Sequence, residues 1–320
     1  MPTIIPAILI LALSTLTVLQ GRPVRRITVP TLVIGVAFSP DGQMVTAWDP
    51  AGWSRWDARS GRRLGREPVI GKACEGAAVL PRLSGGVVSA HCRGRLLFFD
   101  AASARALGER RLPEKQTAAL YTASSSGTAT AIVMSGATDT VALGPMAGNE
   151  PATSVRVGHE IEQLTLSAPG TRLSVGTINS VQVREVPGGT LLQTFEGSAA
   201  HALSADGRLL AMVSDRGARL FDTDSGQMLR EVDGRVSHVR FSPDAQLVIG
   251  WTNQRLFLWN SATGTPLLTL TADELVAAAV SADGLSLVTV SLERRGEGTS
   301  STIEVWQIPS GQQGVPRIRS

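Results

Sequence analysis

Two marks recur along the chain at a fixed separation, and that separation restricts the fold. One is a tight turn after an apolar strand: Ser39-Pro-Asp-Gly42, Ser167-Ala-Pro-Gly170, Ser204-Ala-Asp-Gly207, Ser242-Pro-Asp-Ala245 and Ser281-Ala-Asp-Gly284. The other is the position that ends a later strand: Trp56, Phe99, Gly144, Arg184, Phe221, Trp259 and Trp306. From Gly42 to Trp56, Gly170 to Arg184, Gly207 to Phe221 and Ala245 to Trp259 the distance is 14 residues each time. Four equal offsets in weakly similar segments fix a register. The piece RLFLWNSATGTPLLTL (255–270) shows the local unit, strand, turn and strand, with side chains alternating between two faces.

Successive late-strand positions lie 43, 45, 40, 37, 38 and 47 residues apart. A period of about 40–45 residues is that of a four-stranded propeller blade. Seven late-strand positions imply seven blades, those around Phe99 and Gly144 being the poorest copies. A blade buries its faces only against neighbours, so the ring must close. The last repeat ends soon after Trp306, while the segment RRITV (25–29) stands alone ahead of the first repeat. It reads as the outer strand of blade 7, removing two open edges. The sequence thus predicts an all-β chain with one seven-bladed propeller over 22–313, closed by an N-terminal strand. Residues 1–21 precede it as a signal peptide or membrane anchor, and 314–320 follow as a tail.

These marks resemble the WD-repeat propeller family. VIGVAFSPDGQMV (33–45) with Trp56-Asp57 downstream fits its pattern, and Gly158-His159 fits the family's Gly-His ahead of a blade. The departures are large. One Gly-His and one Trp-Asp are present, and blade 4, which has the histidine, carries Arg184 in place of the Trp. The hydrogen-bonded tetrad of the family is therefore complete in no blade. The resemblance implies a divergent, WD-like propeller that serves as a non-catalytic scaffold for protein partners. The alternative is a propeller enzyme of the lactonase or quinoprotein dehydrogenase type.

Composition bears on partners and compartment. Net charge is only +3, charged residues make up 18%, and Lys72 and Lys115 are the two lysines. No concentrated basic stripe is present, which argues against nucleic acid. Residues 4–19 form a sixteen-residue uncharged apolar run. That is long for a signal core and slightly short for a spanning helix. It points to export or membrane anchoring, hence an extracytoplasmic propeller. Arg22, Arg25 and Arg26 on its C-terminal flank would instead keep an uncleaved chain on the cytoplasmic side. The sequence leaves both open.

A search for chemistry finds none expected: no metal, no cofactor, no catalytic residue. His201 takes the place of Val36 and His238 that of Gly35, so their side chains point to opposite faces of their strands. His91 and His159 have no H-x-x-x-H or carboxylate cluster beside them. Asp41, Asp206, Asp244 and Asp283 recur once per blade, as turn formers do. No G-x-S-x-G is present.

Two further expectations concern specific residues. Cys74 and Cys92 are the only cysteines, centred on position 83 in a strand turn of blade 2; placed so, they could bridge across a hairpin in an exported protein. The upper rim of blades 6, 7 and 1 is the predicted partner-binding sector. It would hold Trp48, Trp53 and Trp251, with Arg294 and Arg295 on a loop enlarged by eight residues; Trp48 and Trp251 each stand eight residues before a late-strand Trp, so packing within the repeat is the alternative for those two. Trp and Arg dominate protein interfaces, and inserted loops on a rigid scaffold commonly carry function.

Overall fold

The computed structural model describes residues 22–50, 52–68, 82–84, 87–92, 94–103, 105–112, 118–146, 153–295 and 298–308. They form seven four-stranded antiparallel sheets, as the repeat predicts. Strands are named first to fourth outward from the central channel. Blade 1 runs Gly35–Phe38, Met44–Asp49, Gly52–Asp57 and Arg63–Pro68. Blade 6 runs His238–Phe241, Leu247–Trp251, Arg255–Asn260 and Pro266–Thr271. Its alternation is visible in burial: Leu256 and Leu258 are inside, Arg255 is in solvent.

Each recurring turn has a defined chemistry. The Ser204 hydroxyl donates to Asp206 at 2.6 Å and accepts the Leu209 amide at 2.9 Å; Ser242 does the same with Asp244 and Leu247. Ser39 and Ser281 repeat the pattern with Asp41 and Asp283. The Ser39 hydroxyl, and then the Gln43 amide, hold the Asp41 carboxyl below the usual carboxylate range. These aspartates shape backbone, as their recurrence indicated. The late-strand marks have a structural meaning too. In blades 1, 2, 4, 5 and 6 the pairing of third to fourth strand slips immediately before Trp56, Phe99, Arg184, Phe221 and Trp259. A recurrent bulge therefore bends the outer edge of the blade at the marked residue.

The core is divided by interface. Seven apolar clusters are found among the described residues, and each joins two neighbouring blades. One unites Val36, Phe38 and Trp56 of blade 1 with Val288, Val290 and Ile303 of blade 7. That cluster closes the ring. Fully burying one Val or Leu contributes about 1.5–3 kcal/mol, so each interface is a substantial store of stability.

Blade 7 is assembled from both ends of the chain. Its strands are Leu275–Val280, Ser286–Arg295, Gly298–Gln307 and, outermost, Arg25–Val29. Arg25 to Val29 pair in register with Val305 to Ser301. Val29 is buried in the closing cluster, and Arg26 forms an ion pair with Glu304 at 2.6 Å.

Candidate interaction surfaces

The upper rim carries the turns between second and third strands. In blade 7 these strands are ten residues long, against six in blade 1, so the hairpin stands above its neighbours. The eight-residue insertion expected as a loop is built as added ladder: Leu292↔Ser301, Glu293↔Ser300, Arg294↔Thr299 and Arg295↔Gly298. Arg294 has a side chain 75% exposed and reaches Glu274 at 3.5 Å. Glu293 accepts from Thr302 at 2.6 Å. The Arg295 side chain lies outside what is described.

The three tryptophans of the expected sector are interior. Trp48, Trp53 and Trp251 are 1%, 5% and 3% exposed. Trp48 and Trp53 face each other across the hairpin, ring centroids 5.0 Å apart, and Trp53 meets Phe99 of blade 2 at 5.5 Å. They form the interface between blades 1 and 2. Trp53 also has counterparts, contrary to the sequence reading. Leu96, Val141, Val181, Ala218, Leu256 and Ile303 hold the same place, three residues before the late-strand mark, and all are buried. A wide aromatic ring there reads as an interface anchor in sequence, but the position is a core position in every blade. All three indole N–H groups are buried without a hydrogen-bond partner, a cost that apolar packing must offset.

Trp251 faces the central channel. The first strands of the blades enclose a space of about 640 Å³ there. Its wall is largely apolar, with Ala37, Leu120, Ala202, Phe241 and Ala279 among the lining residues. Polar side chains interrupt it at Asp100, Glu162, Gln163 and His238, and the cation among its described residues is Arg240. Its guanidinium carbon lies 5.7 Å from the centre of the Trp251 ring, and His238 stacks on the same indole at 5.2 Å. No hydrogen bond or ion pair joins Arg240 to any described residue. Burial draws its guanidinium down to about 10, still cationic at neutral pH. Burial, and then the charge of Arg240, lower the His238 imidazole.

The remaining histidines are structural or exposed. His201 is buried, with Nδ1 at 2.6 Å from the Ala199 carbonyl and Nε2 at 2.8 Å from the Ser174 hydroxyl. It thereby joins blade 5 to blade 4, whereas His238 packs on the opposite side of its strand, as alternation requires. His159 is exposed in the loop entering blade 4. Among the described residues no group of three His, Cys, Asp or Glu side chains is placed to hold a metal. Nor does any helix among them have the length and apolarity to cross a membrane. Residues 1–21 and 314–320 lie outside the described residues, as do Cys74 and the side chain of Cys92. The hairpin of blade 2 pairs Leu83 with Val88, which centres its turn between positions 85 and 86 and not at 83. Equidistance from the turn therefore no longer supports a bridge between the cysteines.

Two poor copies of the repeat have explanations the sequence did not offer. Gly144 stands at a late-strand mark because Arg110, from the fourth strand of blade 2, fills that space. Its guanidinium donates to Thr130 at 2.7 Å and to the Pro145 carbonyl at 3.1 Å. A Cβ on Gly144 would lie 2.5 Å from it. Arg184 compensates within its own blade, donating to Gln182 and to the Gly189 carbonyl.

No protein-family model matches the chain, and no curated protein matches it by sequence. Solved structures do. A chain in the "Crystal Structure of Mitotic Checkpoint Complex" superposes with a TM-score of 0.63 at 16% identity, over 90% of this chain and 95% of that one. The Cps50 (Swd1) β-propeller domain of Myceliophteria thermophila gives 0.64 at 15% identity, over 90% and 100%. At such identity the likeness is one of fold, and with the seven closed blades it makes this chain a seven-bladed β-propeller.

Proposed function

We propose that the protein is a non-catalytic scaffold that docks a protein partner on the raised hairpin of blade 7. The observation that carries this reading is the hairpin itself. It stands on the blade that closes the ring and presents Arg294 to solvent with Arg295 next in the strand. An exposed pair such as Arg294 with Glu274 contributes little to stability, so the arginine is free to exchange partners. Similar propellers occur in solved assemblies, which fits a scaffold. Trp48, Trp53 and Trp251 belong to the frame beneath and not to the contact surface.

The test uses the full chain and an Arg294→Ala, Arg295→Ala variant, with any partner first identified by co-purification. The variant should melt at the parent temperature and lose that partner. Retained affinity would remove this hairpin from the interface. The export or membrane anchoring proposed from residues 4–19 is tested by fractionation with N-terminal sequencing. A propeller found in the cytoplasm with its apolar run intact and unassociated with membrane would overturn it.

A further inference from the structure

The geometry points to the central channel as a binding site for a small organic monoanion, a carboxylate carrying an apolar body, held by Arg240. The inference is independent of the hairpin on the rim.

Four observations carry it. First, Arg240 is cationic and partly buried in the channel wall, and it has no hydrogen-bonding or ionic partner among the described residues. Second, its face is already organised. The guanidinium lies against the Trp251 ring, and His238, two residues earlier on the same strand face, stacks on that indole. The cation is thus positioned from one side and open on the other. Third, the equivalent places in blades 1, 3, 4, 5 and 7, two residues before the turn serine, are Ala37, Thr122, Thr165, Ala202 and Ala279; in blade 2 the place is taken by Arg82, whose side chain lies outside what is described. These small side chains leave the channel unfilled opposite Arg240. Fourth, a volume of about 640 Å³ with mostly apolar walls is of the size and character that takes a small ligand.

The charge decides the ligand class. A planar guanidinium matches a carboxylate, which it can hold through two parallel N–H···O bonds. Two acidic residues also line the channel, and neither forms an ion pair with Arg240. Asp100 accepts the amide and hydroxyl of Ser103 in its own turn, and Glu162 stands on blade 4, with blade 5 between it and Arg240. His201 is held neutral, so it adds no second positive charge. Arg240 is the one cation among the described residues of a mostly apolar wall, which suits a monoanion with hydrocarbon attached, and the phosphate probe below tests the polyanion.

The experiment is titration calorimetry on the full chain, with Trp emission as a second readout because Trp251 lies under the guanidinium. The probes are octanoate, octan-1-ol, octylammonium, acetate and inorganic phosphate. Octanoate should bind saturably, at least tenfold more tightly than each of the other four. Arg240→Gln should weaken octanoate at least tenfold at an unchanged melting temperature. Ala279→Leu, which narrows the channel and keeps the charge, should also weaken it. The proposal fails if octanoate does not saturate, if octan-1-ol or octylammonium binds as tightly, or if Arg240→Gln keeps the parent affinity. If Arg240→Gln does not fold, the probe series on the parent chain and Ala279→Leu still decide.

Discussion

The imidazole of His201 bonds the hydroxyl of Ser174 at 2.8 Å and so ties blade 5 to blade 4 through a buried, uncharged ring. Burial lowers its pKa from 6.5 to about 4, against a smaller opposing effect of the Ala199 carbonyl. Below pH 6.5 the unfolded chain takes up a proton that the folded chain refuses until about pH 4. Stability is therefore greatest above pH 6.5 and falls between 6.5 and 4, by about 3 kcal/mol in all from this group. His238, also lowered, adds in the same direction. The carboxyls of Asp41 and Asp283, held low by their turn serines, titrate beneath this window. Urea melts at pH 7, 6, 5 and 4 should show the decline, and His201→Gln should flatten most of it. An unchanged slope in the variant would assign the decline to other groups.

Ala245 adopts φ 58° in the turn of blade 6, where Gly42, Gly127, Gly170, Gly207 and Gly284 stand in others. A side chain in the left-handed region costs about 1–2 kcal/mol, and glycine returns part of that gain through the entropy of the unfolded chain. Both hydrogen bonds of Ala245, amide to Ser242 and carbonyl from Ser261, are backbone on its side and survive the change. Ala245→Gly should stabilise the protein by about 0.5–1 kcal/mol, read as a higher denaturation midpoint. A loss of stability would show that the methyl group contributes packing.

Arg110 and Gly144 occupy one space from two blades. Gly144→Ala should destabilise by about 1–3 kcal/mol through the clash with the guanidinium. Arg110→Ala should destabilise by removing its bonds to Thr130 and Pro145. In the double variant the clash is gone, so its loss should be smaller than the sum of the single losses. Additive losses in denaturant melts would mean that the two sites do not share the space.

Closure rests on residues 25–29. A chain beginning at Pro30 leaves the third strand of blade 7 with an open edge and removes Val29 from the closing cluster. It should lose about 3 kcal/mol or more and broaden its melt. A chain beginning at Arg22 should melt as the parent does. Equal melting temperatures for the two shortened chains would refute closure by this strand.

The sequence by itself determined the ring. Offsets between turn and late strand depend on backbone hydrogen bonding within one blade, which is local, and so Gly42-to-Trp56 spacing could be counted without coordinates. Closure followed because RRITV had no other partner. The roles of Asp41 and Asp283 were legible for the same reason, since a side chain bonding its own turn leaves a repeated mark. The tertiary structure decided what depends on two blades meeting. Trp53 looked unique in the chain, yet it sits on a core position shared by all seven blades, because burial is set by the neighbouring blade and not by residue type. Gly144 looked like decay of the repeat, until Arg110 was found filling its place from blade 2. Arg240 looked like any strand arginine. Only the closed ring, which sets small side chains of other blades around it and gives it no ion pair among the described residues, marks it as a charge of the channel and not of a strand edge.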